Sequence, residues 1–270
     1  MKDFKIRCSA IGQIMTNARA KNETLGQTAK TYAENWVKEQ LYGKRHEISS
    51  KYMLKGTQME DEAIDLLSVY DFASYTKNQQ SFENDFMTGI PDIISPDGVV
   101  IDIKTSWDCF TFPLFDAEIP TKDYYYQLQG YMALTGLKAA CLAYCLVDTP
   151  VHIIESEAKR LVYNEGYDFD EAVEILTEKM RYTGIDLKLR VKTFNVEYDQ
   201  TTVPTKYTLT TANQSKEYIL VDAQINRNVD FGFVPESRIG SSKQLIENES
   251  IGNGVYKVSY EIKLKSFSTT

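Results

Sequence analysis

No apolar run in the 270 residues approaches the ~20 that a bilayer-spanning helix needs, so no transmembrane helix is expected. The opening residues, Met1-Lys-Asp-Phe-Lys-Ile-Arg7, lack the apolar stretch of a secretory signal. Cysteine is scarce: positions 8, 109, 141 and 145, with neither a disulfide framework nor a C-x-x-C pair. That pattern fits a reducing compartment, so the expected location is the cytoplasm. His46 and His152 are the two histidines, which removes the usual basis for a zinc site. Acid, by contrast, is in excess, with a net charge of -8. Taken whole, that balance argues against a nucleic-acid partner, but it is unevenly spread. Residues 1–60 hold 11 Lys+Arg against 6 Asp+Glu, and residues 61–270 hold 19 against 32. A basic N-terminal segment can supply the footprint that phosphates require; a merely solvated helical surface would have the same composition.

The most informative stretch is Gly89-Ile-Pro-Asp-Ile-Ile-Ser-Pro-Asp-Gly-Val-Val-Ile-Asp-Ile-Lys104. Two apolar segments flank Ser95-Pro-Asp-Gly98, a turn in which Pro presets φ and Gly accepts φ > 0. The pattern predicts a β-hairpin. Three charges that an apolar hairpin does not need are set into it: Asp92, Asp102 and Lys104. Side chains alternate along a strand, so Asp102 and Lys104 share one face and Ile101 and Ile103 the other. If the register brings Asp92 alongside, two carboxylates and an ammonium crowd one half-buried place, which costs free energy until a cation or an anionic substrate completes it. Two close carboxylates are a hard-oxygen site for Mg²⁺, which takes carboxylates together with substrate phosphates. A surface hairpin carrying an ordinary i, i+2 Asp–Lys pair would read the same way.

Further residues extend the pattern. Pro91-Asp92, nine residues, then Asp102-Ile103-Lys104 resembles the signature of the PD-(D/E)XK nuclease superfamily. Gly56-Thr-Gln-Met-Glu60 upstream and Gln127-Leu-Gln-Gly-Tyr131 downstream resemble its RecB-type, phage lambda exonuclease-like (YqaJ-type) branch. The resemblance covers roughly residues 1–200. It implies that Asp92, Asp102 and the Ile103 carbonyl ligate Mg²⁺, with Mn²⁺ as a substitute. Lys104 then stabilises the attacking water or the phosphate, Glu60 orients metal or water, and Gln127 supports them. It also implies that Arg7 and Ser9 help to hold a 5′-phosphate, and it makes Tyr131 a candidate phosphate contact. Some RecB-type nucleases hold an iron–sulfur cluster through four cysteines; the cysteine spacing here gives no such expectation, and Cys141 and Cys145 read as strand core.

The elements around these residues are predicted from pattern. Ser9 is placed to cap a short helix beginning near Ala10. Thr24–Tyr42 is an amphipathic helix with Ala29, Tyr32, Ala33, Trp36, Val37 and Leu41 as its stripe, Lys30 and Lys38 off it, and Gly43 as terminator. A second helix is expected from Thr57 to Tyr70. Glu60 falls on its packing face, where a carboxylate needs an explanation; first-turn electrostatics is the plain one and a metal the functional one. Lys55, just before that helix, is a candidate phosphate contact. Ser81–Thr88 reads as a strand. Trp107 and Phe110, in the aromatic segment after Lys104, are candidates for stacking on a base, or for packing. A helix follows from Thr121 to Gly136, with Gln127 and Tyr131 on one face. Ala139–Val147 reads as a strand buried on both sides.

Residues 155–182 read as helical, with a capping-box-like start at Asp168-x-x-Glu171. Leu187–Lys192 alternates strictly and is expected to be a strand that turns Lys188, Arg190 and Lys192 either to a phosphate backbone or to solvent. Lys216–Ile225 and Val255–Leu264 read as strands around the polar stretch Arg238–Gly254.

The expected architecture is α/β: a restriction-endonuclease-like αβββαβ core, with a mixed central sheet flanked by helices, over residues 1–200, and a β-rich extension over 201–270. The expected activity is a Mg²⁺-dependent exodeoxyribonuclease that degrades one strand from double-stranded DNA ends. The resemblance further implies 5′-to-3′ polarity, a phage-type recombination role in the host cytoplasm, a single-strand annealing partner and a homotrimer. A structure-specific or nicking endonuclease and a non-catalytic DNA-end-binding module are the alternatives.

Overall fold

The computed structural model describes residues 5–16, 19, 26–46 and 50–199, and beyond them the backbone of strands between 206 and 264. In chain order the elements are β1 (Ile6–Arg7), a 3₁₀ turn (Cys8–Ala10), α1 (Ile11–Ile14), α2 (Gln27–Tyr42), α3 (Lys51–Gln58), α4 (Glu60–Tyr70), β2 (Phe82–Glu83), β3 (Met87–Gly89), β4 (Ile93–Ile94), β5 (Val99–Thr105), α5 (Lys122–Thr135), β6 (Ala139–Cys145), α6 (Val151–Glu165), α7 (Phe169–Lys179), a second 3₁₀ turn (Leu187–Leu189), β7 (Val191–Glu197), β8 (Lys206–Thr211), β9 (Gln214–Ile219), β10 (Ile225–Pro235), β11 (Glu249–Ser250) and β12 (Val255–Leu264).

The central sheet runs β4-β5-β6-β7. It is mixed: β5 and β6 are parallel, joined through α5, while β4 and β7 are antiparallel edges. This is the expected α/β architecture, helices flanking a mixed sheet. β1, β3 and β2 form a small separate sheet, and β8–β12 form a third that shares no strand with the other two.

Alternation along the central strands divides the core in two. Val100, Ala140, Leu142, Tyr144 and Phe194 face α5, with Ile11, Leu128 and Met132. Ile101, Ile103, Cys141, Ala143 and Cys145 face the other way, onto Ala63, Ile64, Leu66 and Leu67 of α4. Trp107 packs with α6 and α7 in a third cluster. The predicted turn is present: Gly98 has φ +78°, and its amide donates to the Ser95 carbonyl at 3.0 Å.

Several local expectations are corrected. Ser9 caps nothing, because it lies inside the 3₁₀ turn that follows Arg7. The second helix begins earlier, at Lys51, where the Ser50 hydroxyl accepts the Met53 amide, and it breaks at Met59 before α4 restarts. The expected strand at 81–88 is two short strands turned by Asn84, whose side chain accepts the Phe86 and Met87 amides. Residues 155–182 are not one helix; Gly166 ends α6, and Asp168 caps α7 as expected. The alternating segment Leu187–Leu189 is a 3₁₀ turn whose start the Asp186 carboxylate caps, and the strand begins only at Val191. Lys30, expected on the exposed side of α2, is buried. Thr24 and the stretch 236–248 lie outside the described residues; Val255–Leu264 is a strand, as expected.

Candidate active site

The hairpin pairs Ile93 with Ile101 and Ile94 with Val100. One step further in the same register, Asp92 stands against Asp102, on the α5 face. The ladder stops there because the Asp92 side chain replaces it: its Oδ2 accepts the Ile103 amide at 2.6 Å. A strand residue turns its N–H and C=O to the same edge, so the Ile103 carbonyl also opens on the Asp92 side. Asn78 fixes the aspartate's backbone from outside. Its amide donates to the Asp92 carbonyl at 2.7 Å, and its Nδ2 to the Pro91 carbonyl at 2.9 Å.

Asp102 is 1% exposed. Its Oδ1 accepts Gln127 Nε2 at 2.9 Å, and the same nitrogen donates to the Tyr131 hydroxyl at 3.0 Å. Its Oδ2 has Lys104 Nζ at 2.5 Å as an ionic neighbour but receives no aligned hydrogen bond. Lys104 Nζ also donates to Gln127 Oε1 at 3.4 Å and lies 4.7 Å from the centre of the Tyr124 ring. Tyr124, Gln127 and Tyr131 thus come from one face of α5, spaced i, i+3 and i+7.

The electrostatics follow from this crowding. Burial, then the charge of Asp102, push the Asp92 carboxyl up to about 7, against the pull of the Ile103 amide and Lys104. Burial pulls Lys104 down, but Asp102, by charge and by contact, and then Asp92 outweigh it and hold the ammonium above the usual lysine range. Burial, followed by the charge of Asp102, raises the Tyr131 phenol, which stays neutral. A buried and a half-buried carboxylate sharing one ammonium, with an unsatisfied oxygen and an adjoining carbonyl, are a donor set that a hard divalent cation fits. Among the described residues no three His, Cys, Asp or Glu side chains converge. The set is therefore two carboxylates and backbone oxygen.

Other sequence candidates stand elsewhere. Glu60, in the first turn of α4, pairs with Lys77 at 3.0 Å; its charge reaches Asp92 only as the last of that group's perturbers. Lys55 is a correction: it is 0% exposed, and its Nζ donates to the Trp107 carbonyl at 2.9 Å, so it cannot meet a phosphate. Burial lowers it to about 8, with Asp108 and Asp148 opposing. Trp107 is likewise enclosed, edge-on to Tyr52 at 5.3 Å, whereas Phe110 and Phe115 of that loop are exposed. Tyr131 is buried and supports Gln127 rather than facing a ligand. Arg7 and Ser9 are exposed on either side of Cys8, a thiol that burial and then the Asp102 charge raise to about 12. The sequence reading placed neither Asn78 nor Tyr124 in the site. Asn78 carries no pattern signal, whereas Tyr124 lies one turn before Gln127, on its face.

No protein-family model matches the chain, and no curated protein matches it. Among solved structures, a phage-related exonuclease from Haemophilus somnus 129PT is similar over 73% of this chain and 86% of its own, at 29% identity and a TM-score of 0.58. The chain thus resembles an exonuclease of the lambda exonuclease-like branch of the PD-(D/E)XK nucleases. An alkaline exonuclease from Laribacter hongkongensis is 18% identical, over 72% of this chain and 78% of its own, with a TM-score of 0.47. Among the described residues, no helix is long and apolar enough to cross a membrane.

Proposed function

We propose that the chain is a Mg²⁺-dependent exodeoxyribonuclease that hydrolyses one strand of duplex DNA from its end. The observation that carries this reading is the meeting of Asp92, Asp102, Lys104 and Gln127 in one half-buried corner. The similar phage-related exonuclease supports the same reading. Asp92 and Asp102, with the Ile103 carbonyl, hold the cation. When bound, Mg²⁺ or Mn²⁺ supplies a Lewis acid that activates water and stabilises the leaving oxygen of a phosphodiester. Lys104 offers its ammonium to the attacking water or to charge developing on phosphorus. Gln127 fixes the Asp102 carboxylate, and Tyr131 fixes Gln127. Glu60 contributes from the α4 side, orienting water or metal once released from Lys77. Arg7 and Ser9 receive the 5′-phosphate, which sets a 5′-to-3′ direction. The single strand left behind suits an annealing protein, and a homotrimer around the duplex would turn basic faces inward.

The test is digestion of end-labelled linear duplex, with and without a 5′-phosphate, beside a covalently closed circle. The expected result is mononucleotide release from the phosphorylated 5′ end and an intact circle. A cut circle assigns the site to an endonuclease. Binding without cleavage in either Mg²⁺ or Mn²⁺ assigns it to an end-binding module.

A further inference from the structure

Among the described residues Lys104 is the one cation paired with the corner's carboxylates, and a lysine there has a problem of its own. Its four-carbon stem has many rotamers, and fixing them is costly. Asp102 sits two residues away on the same strand face, so it holds the ammonium but does not choose its direction. Gln127 Oε1, at 3.4 Å, is a weak restraint. The remaining wall is aromatic. Tyr124 places its ring 4.7 Å from Nζ. Tyr144, in register with Lys104 on β6, meets Tyr124 edge-on at 6.3 Å and Phe194 of β7 edge-on at 6.2 Å. Tyr144 and Phe194 are both buried, so the ring nearest the ammonium is itself braced by the sheet.

We propose that Tyr124 is the positioning residue for Lys104: its ring face confines the ammonium to the corner between Asp102 and Gln127. The inference rests on the nuclease reading for its consequence but not for its geometry. A ring quadrupole attracts a cation at this distance, most strongly where water is partly excluded. Tyr124 touches neither metal ligand nor substrate in this role; it acts through Lys104.

The test compares Tyr124→Phe, Tyr124→Leu and phenylalanines bearing one to three ring fluorines at position 124. Fluorine keeps the shape and drains the ring face. The expected result is that Tyr124→Phe cleaves linear duplex within about twofold of wild type. Tyr124→Leu should lose about tenfold in kcat with KM unchanged, and the fluorinated series should fall stepwise with fluorine number. Thermal melts should agree within a few degrees throughout. A trifluorinated ring as active as phenylalanine, or a leucine variant as active as wild type, overturns the proposal while leaving the nuclease reading intact. The proton resonance of the Lys104 ε-methylene reads the contact without catalysis. It should lie upfield in wild type and Tyr124→Phe and return to the free-lysine position in Tyr124→Leu. An undisplaced wild-type resonance overturns the proposal even if the enzyme is active. A displaced resonance in a wild type that never cleaves DNA keeps the contact and overturns the nuclease reading instead.

Discussion

Replacing Lys104 by methionine tests the electrostatic core of the site apart from its chemistry. Methionine keeps most of the stem and removes the charge. Asp102 is 1% exposed, its Oδ2 has the ammonium as its ionic neighbour among the described residues, and Gln127 serves Oδ1. Breaking a buried ion pair from one side costs roughly 3–5 kcal/mol. The upper end is capped, because a stranded carboxylate takes up a proton instead, which at pH 7 costs an aspartate about 4 kcal/mol. The expected destabilisation in EDTA is therefore about 3–4 kcal/mol, lowering the melting temperature by about 6–16 °C for a chain of this size. Circular dichroism melts measure it. Asp102→Asn with Lys104→Met removes both charges and should recover more than half of the loss. Neither variant should hydrolyse DNA, and Lys104→Met should still bind duplex in Ca²⁺. A Lys104→Met protein melting within 2 °C of wild type, or a double variant no better than the single, refutes the claim that the ammonium compensates a buried carboxylate.

Removing the charge of Lys55 gives a different pH signature. An unfolded lysine titrates near ~10.4, and Lys55 is lowered to about 8 in the native chain. Between those values the unfolded state holds more protons, so stability rises with pH across the window, by up to about 3 kcal/mol. Urea melts from pH 7 to pH 10 should show that rise in wild type and a flatter profile in Lys55→Met; parallel profiles would count against a buried ammonium. A Cβ on Gly130 would meet Ile11 Cδ1 at 2.5 Å and Cys8 Sγ at 3.0 Å, whereas one on Gly56 meets nothing within 4 Å. Gly130→Ala should cost about 1–3 kcal/mol and Gly56→Ala should gain about 0.5–1 kcal/mol, and melts that rank them the other way would contradict the packing. Mg²⁺ at ten times its Kd should stabilise the wild type by about 1.4 kcal/mol. An Asp92→Asn, Asp102→Asn double variant should show no such response, and an equal shift in both proteins would place the cation elsewhere.

Much of the site was legible because its rules are local. Ser95-Pro-Asp-Gly98 dictates the turn, the turn sets the register, and the register faces Asp92 with Asp102. Thr121 and Gly136 bound α5, and helical spacing then puts Gln127 and Tyr131 on one side. What failed depended on partners distant in the chain. Lys55 reads as a surface cation until the Trp107 carbonyl is seen above it, 52 residues away. The sequence pattern also left unseen that the helix restarts at Met59 and that Lys77 meets the Glu60 carboxylate at the new first turn. Leu187–Lys192 alternates like a strand, yet one short side chain, Asp186, offers its amides a closer partner than any ladder. Lys30 was assigned by helical phase alone, and phase does not reveal what lies across α2.

The two restraints on the acidic pair differ in how far apart their partners lie along the chain. Asp92 grips Ile103 across 11 residues, whereas Gln127 reaches back 25 to Asp102. Shorter closures cost less entropy. During synthesis the ribbon forms while α5 is still emerging, so a nascent chain carries its carboxylates before the amide that restrains them. Under the proposed function, hydrolytic competence then waits for α5 to emerge, rather than arising with the ribbon alone.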